Sequence, residues 1–358
     1  MATMKQLTSI YLSSAIPKSG KTEIGVGIGL KLQEMGYKVT YFKPIGIRKG
    51  KDHVDPEVEI LANIFEQDQS DVCPFFIDPI YFEELKSQDI GSLKEKLYNA
   101  YKHLKDNSDI VIIEGTKKVN QLISFNLDDV KLSRLFDESK ILAVNPFNND
   151  LDIADVIMQK EYVEGKGGMY IGCILNHVPK IMVTRVKQEF VPFLDSMNIK
   201  VLGIVKREER LSAPTFREIM NTLNAKLLDD DPSSYDLDVL VDNVLVGAMS
   251  AHSALSYLRK SRNKVIITGG DRADIVVTAL ETDLAGIVLT GNLYPDLRVI
   301  SAAKEKNVPM VMVPYDTYTT ASRVNETVAE LQINERGLCK ELVEEHVDLQ
   351  ELLRILDG

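Results

Sequence analysis

Cysteine is scarce in this 358-residue sequence: Cys73, Cys173 and Cys339 stand far apart, without the close pairs of a metal site. Free thiols in a reducing cytosol are expected, not a disulfide framework. Basic charge is in deficit, with 42 Lys and Arg against 53 Asp and Glu, a formal net charge of −11. That balance argues against nucleic acid or an anionic membrane as partner, yet leaves room for a local basic phosphate site. No apolar run approaches the length of a membrane span, and Met1 to Gln6 leads towards a strand without a signal peptide. Low-complexity tracts are absent. These absences point to a cytoplasmic globular protein. The length suggests two domains, and 44% hydrophobic and 27% charged residues let each build a core.

The most informative stretch is LTSIYLSSAIPKSGKTEIGVGIGL, residues 7–30. A β-branched run ends in a short turn, Ser19-Gly20-Lys21-Thr22 follows, and helical spacing begins. Strand, loop, Gly-Lys-Thr and helix form the context of a phosphate-binding P-loop. Loop N–H groups and the positive helix end favour an anion at one spot. Pro17, Lys18, Ser19, Gly20, Lys21 and Thr22 are the candidate nucleotide contacts, with Lys21 reaching the β/γ-phosphates and Thr22 ligating Mg²⁺. The match departs from the usual motif at Ala15, where a glycine is customary. Gly25, Gly27 and Gly29 lie inside the helix and are read as allowing close helix–sheet packing, not as a dinucleotide fingerprint.

Further strand ends carry polar residues. Lys43 follows the strand 37–42 and precedes Pro44 and Gly46, a position where open α/β sheets bind ligands, although a solvated strand-end lysine would look the same. The segment 48–56 reads as a polar loop. Asp55 opens a helix with Pro56 at its first position; that is ordinary capping, and the same carboxylate could serve a metal. Asp109 to Gly115 is a continuous apolar run ending in Glu114, the Walker-B pattern of a buried parallel strand holding an acid near Mg²⁺. Strands near 141–145, 169–175 and 201–205 alternate with helices near 150–164 and 181–197. Asn176, at one such strand end, can read a purine edge with its amide, or simply cap a turn. His177 shows no partner in the sequence and is read as structural.

The boundaries read as a P-loop nucleotide-binding domain over 1–225, a linker over 226–239 centred on the acidic run 229–231, a second domain over 240–335 and a helical tail over 336–358. In the second domain, strands near 243–248, 264–268, 285–290 and 309–313 alternate with helices, which implies a small parallel sheet. Thr268-Gly269 and Thr290-Gly291 both end strands, which suggests a shared pocket for a small metabolite or a protein contact; tight turns with an Asp cap fit as well. The Glu-rich tail reads as one helix that packs on a domain or a partner.

On Ser14 to Thr22, Phe42-Lys43-Pro44, Asp55, Ile113-Glu114-Gly115 and Gly172 to Asn176, the first 215 or so residues resemble the dethiobiotin-synthetase-like P-loop fold. The resemblance implies ATP as ligand, Mg²⁺ on Thr22, Asp55 and Glu114, substrate on Lys43, and adenine on Asn176. Lys21, Lys43 and Glu114 would then be the catalytic residues. Thr116-Lys117-Lys118 replaces that family's glycine-rich loop and Ile47 its small hydroxyl residue, which points away from dethiobiotin synthesis itself. No Cys–His pair supports a glutamine-hydrolysing amidase of the cobyrinate type. With the DRTGG-like stretch over 240–335, carried by Thr268 to Arg272 and Thr290-Gly291, the chain resembles the amino-terminal half of long phosphate acetyltransferases. The second motif departs at Asn292 from the Thr-Gly-Gly expected there.

The fold expected is therefore α/β: a P-loop NTPase parallel sheet followed by a smaller α/β DRTGG-like domain. In the acetyltransferases this half is regarded as regulatory. The chain ends at Gly358, so a stand-alone homologue without the acetyl-transfer domain is expected. It would bind ATP and Mg²⁺ and sense metabolites, with slow ATP hydrolysis as an accompaniment, and work as a homodimer or higher homo-oligomer with a protein partner. The alternative is an ATP-dependent carboxylate-activating ligase of the dethiobiotin synthetase type, with Lys43 and Lys117 or Lys118 on the acid.

Overall fold

A computed structural model describes residues 7–48, 55–229, 234–327, 329 and 331–357. The centre of the polar loop, 49–54, most of the acidic run, 230–233, and the first six residues lie outside the described residues. The chain divides into two compact units, 1–207 with 331–358, and 208–330.

The first unit is built on six parallel strands. They are β1 (Ile10–Ser13), β2 (Val39–Phe42), β5 (Ile110–Glu114), β6 (Lys140–Pro146), β7 (Tyr170–Val178) and β8 (Val201–Lys206), in the order β2-β5-β1-β6-β7-β8. A separate two-stranded ladder pairs β3 (Gly46–Ile47) with β4 (Phe76–Ile77). Every residue of β5 is buried, as a parallel strand covered on both faces requires. The register sets Leu12 beside Glu114 and Phe42 beside Ile113, so the ends of β1, β2 and β5 reach one level.

The P-loop helix, α1 (Lys21–Glu34), is wedged on several sides, and its glycines are where neighbours approach. A Cβ on Gly25 would lie 2.5 Å from Tyr41 Oη, on Gly27 2.4 Å from the carbonyl oxygen of Cys339, and on Gly29 2.6 Å from the Phe65 ring. Gly25 makes the expected sheet contact, and Gly29 also meets the sheet, with Ile112 of β5 at 3.2 Å, while Gly27 does not. Phe65 ends α2 (Pro56–Phe65), and Cys339 belongs to the tail.

The tail is two helices, Arg336–His346 and Leu349–Asp357, not one. The break falls at Val347, which bridges to Gly203 of β8, while Asp348 N–H donates to the Leu202 carbonyl. Ion pairs Lys31–Glu344 and Lys340–Glu34 flank the contact with α1. The segment expected as a helix over 181–197 is helical but irregular, with a wide π turn at Val186–Phe190. Pro192, just beyond, has no N–H to donate back into that turn.

The second unit holds β9 (Lys226–Leu227), β10 (Asn243–Val246), β11 (Lys264–Gly269), β12 (Leu284–Thr290) and β13 (Met310–Met312), in the order β10-β11-β12-β13-β9. The last four in chain order are parallel and β9 is antiparallel. The sequence boundary at 225 differs from this division. Residues 208–225 pack with the second unit because Phe216, Ile219 and Leu223 are buried against Val265, Ile267, Val288 and Val311. Phe216 fills the space over Gly286, where a Cβ would meet its ring at 2.2 Å. Lys226 and Leu227, read as linker, form the edge strand.

Candidate functional site

β1 delivers the chain into a loop that α1 ends. Gly20 caps α1 at φ 76°, ψ 28°, the left-handed region that favours glycine. A Cβ there would lie 2.2 Å from Asn176 Nδ2 and 2.9 Å from Glu23 Oε2. The loop is braced from three sides. Asn176 Nδ2 donates to the Ser19 carbonyl at 2.9 Å. Ala15 N–H donates to Asn145 Oδ1 at 3.0 Å, and Asn145 in turn donates to Gln159 Oε1 at 2.7 Å. His177, itself at φ 54°, sits 3.2 Å from Glu23 Oε2, so it has the partner that the sequence did not reveal. Ser19 Oγ is buried with no hydrogen-bond partner among the described residues. Pro17 and Lys18 are exposed, with Lys18 at φ 58°. A glycine that admits no side chain and an unsatisfied buried hydroxyl at a helix N-terminus fit a bound polyphosphate.

Behind the loop, buried charges meet. Lys43 lies 3.2 Å from Asp55 Oδ2 and 3.4 Å from Glu114 Oε1, and it pairs most closely with Glu57. Burial works against its charge, but Glu57, Glu114 and Asp55 outweigh it and hold the ammonium well above the usual lysine range. Asp55 does two things, accepting from Glu57 N–H at 3.2 Å as the cap of α2 and facing Lys43. Tyr41 donates to Glu114 Oε2 at 2.6 Å. Burial lowers the Lys21 pKa, opposed by Glu114 and Asp129. Thr22 follows Lys21 as the second residue of α1. Two hard carboxylates, Asp55 and Glu114, within reach of one cation are donor chemistry that Mg²⁺ accepts. Among the described residues no set of three His, Cys, Asp or Glu is arranged to hold a metal by itself. The acids converge on Lys43.

One residue absent from the sequence reading stands at the centre. Asp129 is fully buried and accepts from Ser13 Oγ at 2.6 Å, Tyr11 Oη at 3.3 Å and Thr116 N–H at 3.0 Å. Gly115 makes room for it: a Cβ there would sit 2.5 Å from Asp129 Oδ2. Burial pushes the carboxyl up to about 7, against the pull of Ser13, Lys21 and Thr116. Glu57 and Asp129 were hidden because their partners lie 14 and up to 118 residues away, with no spacing rule to connect them. Lys117 and Lys118, beyond Glu114, are exposed.

The strand ends of the second unit are spent differently. Thr268 and Thr290 are buried, and Thr290 Oγ1 lies 3.3 Å from the Thr268 carbonyl and 3.0 Å from Thr317 Oγ1. Gly270 lies against Leu293, whose carbonyl oxygen would be 1.8 Å from a Cβ. Arg272 donates to the Met249 carbonyl at 2.9 Å and pairs with Asp274 at 3.0 Å. The two Thr-Gly motifs are neighbours, as Gly269 pairs with Thr290 in register.

The AAA domain family matches residues 8–215 and the DRTGG domain family residues 218–327. Phosphate acetyltransferase of Synechocystis sp. is 24% identical over 370 residues, covering 98% of this chain and 52% of that protein. Phosphate acetyltransferase of Nitratidesulfovibrio vulgaris is 25% identical over 369 residues, covering 96% and 51%. The chain thus spans about half the length of the curated relatives it matches. Among solved structures, the septum site-determining protein MinD of Pyrococcus horikoshii with Mg-ADP is 16% identical over 57% of this chain and 83% of that one, with a TM-score of 0.35. The CBS and DRTGG domains of Clostridium perfringens pyrophosphatase, complexed with the activator diadenosine tetraphosphate, are 19% identical over 40% and 70%, with a TM-score of 0.28. Among the described residues no helix is long and apolar enough to cross a membrane.

Proposed function

We propose that this chain, which belongs to the AAA domain family through residues 8–215 and carries a DRTGG domain at 218–327, is an ATP- and Mg²⁺-binding regulatory protein. The observation that carries the reading is the loop of residues 14–20. Gly20 leaves no room for a side chain, Ser19 Oγ lacks a partner among the described residues, and Lys21 is buried at the helix start. In this reading Lys21 holds the β/γ-phosphates, the Ser19 hydroxyl and the first N–H groups of α1 receive phosphate oxygens, and Asn176 offers its amide to the purine edge. Thr22, Asp55 and Glu114 would hold Mg²⁺, which supplies charge neutralisation at the phosphates when bound. Lys43 leaves part of its carboxylate cage to meet the γ-phosphate. The DRTGG domain reports the bound state to a metabolite, a second copy of the chain or a partner protein. The likeness to half of the phosphate acetyltransferases supports this regulatory part.

Calorimetric titration of metal-free protein with ATP and Mg²⁺, on the parent and on Lys21→Ala, tests it. The parent should bind at micromolar or tighter affinity. The variant should lose about 10- to 100-fold, as expected for removing a charged hydrogen bond to phosphate. Absence of binding by the parent would overturn the nucleotide reading. Equal binding by both would remove Lys21 from the site. Sedimentation of the same samples should give at least a dimer with ATP present; a particle of about 40 kDa would refute the oligomer.

A further inference from the structure

Asp129 has no part in the roles just assigned, yet it is a buried group that joins two loops of such a site. Its carboxylate takes hydrogen bonds from Ser13, where β1 enters the P-loop, and from Thr116, where the chain leaves Glu114. The Thr116 hydroxyl faces two acceptors, the Lys118 carbonyl at 3.0 Å and Asp129 Oδ1 at 3.1 Å. A hydroxyl carries one proton and donates to only one of them. With Asp129 ionised, the two acceptors compete. With Asp129 protonated, the acid donates to Thr116 Oγ1, and the hydroxyl is free to close the 116–118 turn through Lys118. The protonation of one side chain therefore decides whether the loop that presents Lys117 and Lys118 is pinned.

The neighbours set the direction. On β1, Tyr11 donates to Asp129; on α1, the Lys21 ammonium favours its ionised form. Glu114 on β5 faces Lys21 and Tyr11. Asp128 precedes Asp129 on its own element, and Tyr162 and Lys166 approach Asp128 from the helix Asp152–Gly165 and its end. An anion seated on Lys21 offsets the pull by which that ammonium favours ionised Asp129. Polyphosphate arrival must then draw a proton onto the carboxyl.

We propose that Asp129 is a positioning residue of the nucleotide site, taking up a proton when ATP binds beside Lys21 and thereby pinning the 116–118 loop through Thr116. This rests on the reading of the site as an ATP site.

Calorimetry of ATP with Mg²⁺ at pH 7, in buffers of different ionisation enthalpy, counts the protons. The parent should take up as much as roughly half a proton per ATP, since a carboxyl near pH 7 starts about half ionised. In Asp129→Asn the count should fall by that share. The amide still donates to Thr116, so affinity should stay within a few-fold of the parent and vary less between pH 6 and pH 8. Any contribution from Lys21 or the phosphates persists in both proteins and cancels in the difference. Thr116→Val keeps the acid and removes the switchable hydroxyl. Its proton count should match the parent, while protease cleavage after Lys117 or Lys118 should no longer be suppressed by ATP. A proton count unchanged in Asp129→Asn overturns the inference, as does binding by the parent with no proton taken up. If Asp129→Asn fails to fold, a Thr116→Val protein whose ATP protection matches the parent overturns it. A parent that binds no ATP at any pH overturns the nucleotide reading and this inference together.

Discussion

The two sheets of this protein end in opposite ways. At the carboxyl ends of β1, β2 and β5, Lys21, Lys43, Asp55, Glu114 and Asp129 are all buried. At the corresponding ends of β11 and β12, the buried groups are neutral threonines bonded to their neighbours, and the charged pair, Arg272 and Asp274, is left partly exposed. Burying an ion costs several kcal/mol even in relaxed protein, and close pairing only offsets it. A fold that merely needed stability would use the second solution twice. The difference teaches that the first unit keeps buried charge at its strand ends at an energetic cost, which is what the proposed ATP site would use, while the second unit satisfies its strand ends with neutral hydrogen bonds and close backbone packing. Gly270 illustrates this: it is where one loop lies on another.

The comparison breaks most readily at Lys43. Lys43→Met removes the ammonium that pairs with Asp55, Glu57 and Glu114. We expect a loss of about 3–5 kcal/mol, the cost of breaking a buried ionic cluster, read by urea unfolding of the first unit. Added Mg²⁺ should restore more stability to this variant than to the parent. No difference between the two would mean that these acids do not receive a divalent cation.

Acidity is the second lever. The Asp129 carboxyl is raised in the fold to about 7 from an ordinary value of 3.8, so the folded state binds its proton more tightly than the unfolded one. Its contribution is fully present below pH 4 and is lost as pH rises from there through 7, a total of roughly 4 kcal/mol. Thermal unfolding of the parent relative to Asp129→Asn, followed from pH 5 to pH 8, should show the parent losing ground steadily. Parallel curves would mean that the buried carboxyl titrates as in water.

The mildest of the three changes sharpens the contrast from the other side. Gly270→Ala forces a methyl group onto the Leu293 carbonyl. It should cost about 1–3 kcal/mol, the usual price of overpacking, in the second unit, and leave ATP affinity measured on the intact chain unchanged. A drop in ATP binding would show that the motif contributes to the nucleotide site after all.

Legibility followed the range of the interaction. β1, β5, the Asp55 cap and the alternation of strands and helices could be read directly, because burial of a whole strand and capping by the next residue but one are local patterns. Gly25, Gly27 and Gly29 announced close packing but not against what, and Gly27 turned out to meet a helix over 300 residues away in the chain. The helix Phe216–Leu223 was assigned to the wrong neighbour because its apolar face says only that it is covered. Residues joined by sheet register or by a buried hydrogen bond, such as Ser13 with Asp129, His177 with Glu23 and Lys43 with Glu57, share no spacing.

By itself, then, the sequence determined that a strand would run into a glycine-lysine-threonine turn and a helix, that an acid would end a buried strand nearby, and that a second, smaller α/β unit would follow. Those outcomes depend on neighbours within a few residues. Which charges would face each other, that Lys43 would be caged by three carboxylates, that a carboxyl 118 residues from Tyr11 would join two loops, and that the tail would close over α1 were decided only in the tertiary structure. Parallel strand order and helix packing bring together side chains whose distance along the chain leaves no periodic trace, and the cost of burying them is set by where they meet.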